Sequence, residues 1–166
     1  MKKKLGLPLI CGAVLVLMAL IAIILPAAHG IVGVGQISGK SGTVSGYQMI
    51  FGDSANYVDM VPGLLVAWIF VLVALLAGIL GVAMLFAGKD KKVAKFDLST
   101  LILCCAGLFL FVAGILFFCG KPLGGYEDNS LIVFKLGAGL IISGIAAVIG
   151  GIAGIGAFVC PLVLKK

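Results

Sequence analysis

Four long apolar stretches, at residues 5–28, 63–87, 98–119 and 131–164, fill most of this 166-residue chain. A hydrocarbon core about 30 Å thick needs roughly 20 apolar residues at 1.5 Å rise each, so every stretch is long enough to cross it. Lipid offers no water to satisfy backbone N–H and C=O groups, which leaves helices or a closed barrel. Barrel strands alternate apolar and polar side chains, and runs such as LLVAWIFVLVALLAGIL do not. With 63% hydrophobic and 11% charged residues, the chain is also too apolar for a water-facing globule. The expected fold is an all-α membrane protein: a four-transmembrane-helix bundle forming one domain over 1–166. Its outer loops fall at 29–62 and 120–130, its inner loop at 88–97.

Charge placement sets the expected orientation. Twelve lysines and no arginine carry all the positive charge, and the net charge is +6. Lys2, Lys3, Lys4, Lys89, Lys91, Lys92, Lys95, Lys165 and Lys166 gather at the N-terminus, the middle loop and the C-terminus, which four spans bring to one side. Lys40, Lys121 and Lys135 lie opposite. The positive-inside rule then places both termini in the cytoplasm of a multi-pass protein of the cell membrane. Arginine, the residue best suited to bidentate phosphate recognition, is absent, so nucleic acid is not an expected partner. The first apolar run follows MKKK but is longer than a signal-peptide core and lacks a clean small-x-small site, so it reads as an anchor.

The first outer loop is rich in Gly, Ser and β-branched residues. Ile31 to Ile37 and Thr43 to Ile50 read as two short strands turning around Gly39-Lys40-Ser41-Gly42, a hairpin resting on the helix ends. Asp59 or a neighbour is the expected cap of the second span, Asp97 or Ser99 of the third, and Ser130 of the fourth. Trp68, Tyr47, Tyr57 and Tyr126 fall at or beyond the outer boundary, as an aromatic belt. The fourth stretch is 34 residues long, about 50 Å as a straight helix. It is expected to tilt, project or break near Gly150-Gly151. Lys135 would sit one turn inside it and snorkel outward.

Helix packing gives the clearest pattern. Gly139, Ser143, Ala147 and Gly151 recur every four residues, beside a second ridge of Ala146, Gly150 and Gly154. Ala74–Gly78 and Ala77–Gly81 form a shorter counterpart on the second span. Small residues at this spacing let backbones approach closely where no hydrophobic effect drives association. They serve packing within the bundle or a surface for another protomer or membrane protein.

Chemistry is sparse. Cys11, Cys104, Cys105 and Cys160 lie at similar depth near the cytoplasmic ends, and Cys11, Cys104 and Cys160 are the candidates for a soft-metal site. Cys104 and Cys105 diverge by about 100° on a helix, so one centre cannot use both. Gly39-Lys40-Ser41 mimics the end of a phosphate-binding loop, but Val34 stands where the first glycine belongs, and nucleotide binding is rejected. Apart from Lys135, no ionisable residue lies within a span, which argues against proton relays and ion paths. Neither a cofactor nor enzymatic activity is expected.

Both termini inside, a larger first outer loop with strands and a short second one resemble the layout of claudin-like tetraspan proteins. Residues 29–62 contain neither the Trp nor the Cys of that family's first-loop signature. The segment Ser45-Gly46-Tyr47-Gln48-Met49-Ile50-Phe51-Gly52 before the second span is similar to that of small uncharacterised bacterial four-span proteins. This resemblance implies a bacterial cell membrane and no particular chemistry. The leading expectation is a non-enzymatic accessory or structural protein, assembling with itself or another membrane protein through small-residue helix faces. A small channel or carrier for a neutral or apolar solute, and a soft-metal-binding protein, are the alternatives.

Overall fold

Size, rather than polarity, sorts the faces of these helices. The computed structural model describes residues 3–35, 41–87, 92–93, 96–128 and 132–163. Its helices are α1 (Lys3–Ile24), α2 (Gly46–Phe51), α3 (Pro62–Ala87), α4 (Leu98–Phe118), α5 (Gly120–Leu123) and α6 (Ala138–Val163). Its strands are β1 (His29–Gly35), β2 (Ser41–Ser45), β3 (Lys92–Val93), β4 (Phe96–Asp97) and β5 (Ile132–Leu136). Helices α1, α3, α4 and α6 are long and apolar enough to cross a membrane, the architecture of a multi-pass membrane protein. On α3 the buried positions Leu64, Ala67, Val71, Ala74, Gly78, Gly81 and Leu85 recur every three or four residues, while Val66, Ile69, Val73, Leu76 and Leu80 point outward. The outward face is as apolar as the inward one because lipid, not water, is its solvent; what marks the inward face is its small residues.

The four long helices form an antiparallel ring. Helix α1 packs on α3 and α6, α4 packs on α3 and α6, and α1 and α4 barely touch across the diagonal. Leu15, Leu64, Val71, Leu103, Leu110, Phe117 and Leu140 fill the centre.

At one end sits a cap. Strand β1 is central in a three-stranded antiparallel sheet of order β2-β1-β5, with Ile31 opposite Val44 on one side and Leu136 on the other. The sheet therefore takes strands from both loops at this end. A 3-10 turn, Leu25–Ala27, leads from α1 into β1, and Gly137 N donates to Gly30 O (2.8 Å) where β5 turns into α6. Among the described residues, the opposite end carries the two-residue pair β3–β4.

Four expectations need correction. Residues 132–136 are strand, so the fourth span is 26 residues rather than 34 and runs unbroken through Gly150-Gly151. Without the excess length there is nothing for a break to relieve. Lys135 accordingly lies exposed in β5, not inside a helix. Tyr47 to Ile50 are helical because Ser45 and Gln48 form a reciprocal capping box that ends the strand. Helix α3 begins at Pro62, so Val61, not Asp59, holds the cap position; its carbonyl accepts from Leu64 N and Leu65 N. Asp97 holds that position for α4, but its side chain makes no cap hydrogen bond. Ser130, the Gly39-Lys40 turn, and Lys2, Lys89, Lys91, Lys95, Lys165 and Lys166 lie outside the described residues.

The tightest contact in the bundle is between α4 and α6. A methyl group added to Gly107 would lie 2.8 Å from Gly151 O and 2.9 Å from Gly154 Cα, so backbone meets backbone. Gly107→Val is expected to force the two helices apart and lower stability by about 1–3 kcal/mol or more, the usual cost of overpacking. Gly6→Val, where an added methyl meets nothing within 4 Å, serves as the control. Thermal unfolding of the two purified variants in mild detergent tests this; equal midpoints would show that the seam tolerates separation.

Candidate functional site

The small-residue ridges lie inside the protomer. Gly139, Ser143, Ala146, Ala147, Gly150, Gly151 and Gly154 are all buried on α6. A methyl on Gly151 would be 2.9 Å from Gly107 O, and one on Gly154 would be 2.7 Å from Gly107 Cα. The second ridge faces α1 as well: the Gly150 position is closed by Leu110 of α4 and Met18 of α1. Ser143 Oγ donates to Gly139 O (2.7 Å), so the one polar group of the ridge is satisfied within its own helix. On α3, Ala74, Gly78 and Gly81 are buried and Ala77 is half-buried. Gly78 receives Leu15 of α1, and Gly81 receives Leu103 of α4. Gly107 and Gly114 of α4 complete the seam: Gly114 abuts Gly144 O and Val148, seven residues along from the Gly107–Gly151 contact. Sequence reasoning passed over this pair, although its spacing of seven matches Gly144–Gly151 on the partner helix.

The cysteines do not converge. Cys11 and Cys160 are neighbours across α1 and α6, whereas Cys104 interacts with Cys105 beside it on α4. Among the described residues, no three His, Cys, Asp or Glu side chains gather. Structural zinc sites use four ligands, and two thiols fall short of that.

The chemistry that is organised belongs to the cap. Ser45 Oγ accepts from Gln48 N (3.2 Å) while Ser45 N donates to Gln48 Oε1 (2.9 Å), starting α2. Gln48 Nε2 then donates to Asp53 Oδ2 (2.8 Å). Asp53 also accepts from Ala55 N (3.0 Å), Asn56 N (3.3 Å) and Asn56 Nδ2 (2.7 Å), which closes a tight turn. Backbone bonds between Asp53 and Val58 in both directions complete it. These donors, Asn56 first and Gln48 second, hold the Asp53 carboxyl below the usual carboxylate range. At the tip, Tyr57 takes a left-handed backbone (φ 54°) and is 96% exposed. A non-glycine residue there costs energy that the hydrogen bonds around it must offset.

The second loop is tied in by a different device. Asp128 forms an ion pair with Lys121 (2.8 Å) and accepts from Phe134 N (2.7 Å), an N–H that the ladder to β1 leaves unused. Lys121 first, then the Phe134 N–H, hold its carboxyl low. Tyr126 packs on Phe134 with ring centroids 5.3 Å apart. Burial, and secondarily the nearby Asp59 charge, push its phenol up, so the two loops are in electrostatic contact. Below the cap, Phe51 meets Trp68 edge-on at 5.1 Å, and Tyr47 Oη donates to Ile23 O in the last turn of α1. Among the described residues, Trp68 Nε1 and Ser99 Oγ are buried with no hydrogen-bond partner.

No protein-family model and no curated protein matches this sequence.

The Asp53 turn has a defined pH dependence. Its folded pKa is depressed, so its contribution is present above the unfolded value of about 3.9 and is lost as pH falls through the lower folded value. The Asp53 carboxyl carbon, followed by NMR, is expected to titrate below a model peptide, and Asn56→Ala should move it back up. A midpoint at or above the model value would show that the turn is not closed by this carboxylate.

Proposed function

We propose that this chain is a non-enzymatic structural or accessory protein of the cell membrane, with both termini cytoplasmic, which presents its cap to a second copy of itself or to another membrane protein. The observation that carries this reading is the sealed interior. The small-residue faces of α6 and the Gly78 and Gly81 positions of α3 are filled by the chain's own helices, down to backbone contact at Gly107, Gly151 and Gly154. No Asp, Glu, Lys, Arg or His of the described residues lies within α3, α4 or α6.

This reading moves the expected assembly surface. The ridges of α6 are engaged within the protomer, and the outward faces of the long helices are bulky aliphatic surface suited to lipid. The cap, by contrast, holds a short turn through four hydrogen bonds to Asp53 and displays Tyr57 with nothing packed on it. Tyrosine on a rigid support is a frequent anchor of protein interfaces, because little conformational freedom is lost on binding.

Photocrosslinking in cells from positions Tyr57 and Thr43 tests it. A discrete self-adduct, or one membrane protein captured from both positions, is the expected result. A monomer in mild detergent with no protein adduct from either position would overturn the assembly role. Solute flux in proteoliposomes would overturn it in favour of a carrier.

A further inference from the structure

The depth of α2 relative to the spans carries an inference of its own, independent of what the cap binds. We propose that α2 and Met60, just ahead of α3, are seated in the membrane interface, with Phe51 and Met60 against the glycerol and upper acyl region of the lipids in the leaflet at the cap end.

The geometry constrains depth through Trp68. Helix α3 has 26 residues, about 39 Å of helix at 1.5 Å per residue. A hydrocarbon core of about 30 Å leaves roughly 9 Å to protrude. Trp68 lies six residues beyond Pro62, about 9 Å along the axis. If all the excess protrudes at the cap end, Trp68 stands at the hydrocarbon boundary; if the excess is shared, it stands inside. The Phe51 ring is 5.1 Å from the Trp68 ring, so α2 reaches the same level. The Tyr47 bond to Ile23 O, in the last turn of α1, fixes the other side of α2 against the end of a second span.

At this level an exposed apolar side chain faces lipid. Met49 and Ile50 are fully buried beneath the cap, while Phe51 is 53% exposed and Met60 48% exposed. Gly52 brings the two together: a methyl on it would be 3.5 Å from Met60 Cβ. Val61 N donates to Met49 O (2.7 Å), so α2 is fastened to the start of α3 and cannot lift away freely. The one polar side chain of α2 besides Tyr47, Gln48, is turned to Asp53. Aromatic and amphipathic side chains concentrate at this depth of a bilayer.

Methyl NMR of the unmodified chain in phosphatidylcholine nanodiscs tests this without a substitution. Met60 is expected to lose its methyl signal to a lipid carrying a spin label at the top of its acyl chain, and to keep it against a water-soluble gadolinium chelate. Met49 should resist both. The opposite pattern at Met60 would overturn the proposal. Photocrosslinking from position 51 in the same nanodiscs gives a second readout, with Ile69 as the lipid-facing control and Thr43 as the water-facing one. Lipid adducts at 51 and 69 but not 43 support the interfacial seat. Lipid adducts at 69 alone, or a self-adduct at 51, would overturn it.

Discussion

Everything in this bundle depends on how closely α4 and α6 approach. Lipid tails are as apolar as any helix surface, so burying leucine against leucine gains little in a membrane, and association rests on van der Waals contact and backbone proximity. Gly107, Gly151 and Gly154 provide that contact by having no side chain to hold the backbones apart. With α4 and α6 fixed, α1 and α3 close the ring from either side, and their own glycine, Gly78, takes a leucine from across the interface. The large side chains left over face outward, where lipid accommodates them without selectivity.

The cap follows a different rule, because water competes for its groups. Its polar contacts are local and reciprocal: Ser45 with Gln48, Asp53 with the turn it closes, Lys121 with Asp128. Exposed pairs of this kind contribute little to global stability. What they supply is shape. The Asp128 carboxylate also occupies the Phe134 N–H on the outer side of β5, which removes one donor from that edge for stray pairing.

How much of this was legible in the sequence depended on which solvent each segment meets. The four spans could be read from composition and length alone, and the small-residue spacing of α6 is plain in its sequence. The strand β5 could not, because Ile132, Val133, Phe134 and Leu136 continue an apolar run into α6 and periodicity does not separate a short apolar strand from a helix. The excess length of that run is the available signal, and a tilted or broken helix accounts for it as well as a separate strand does. The α2 error was local: β-branched neighbours outweighed a capping box that the Ser45 and Gln48 spacing did contain. Gly107 and Gly114 were missed for want of a four-residue repeat, although they oppose Gly151 and Gly144 one heptad apart.

The pairing of β1 with β5 also bears on how the protein is made. Strand β1 leaves the ribosome soon after the first helix, yet one of its two neighbours is encoded about a hundred residues later. Until that segment is synthesised and reaches the cap end, β1 has β2 as its one available partner in the sheet, and a two-stranded ribbon is marginal in water. The cap is therefore a late clasp. It closes only after the third long helix has crossed, when the segment just ahead of the fourth reaches the side where β1 is waiting. A chain stalled before residue 132 would hold three long helices and no complete sheet.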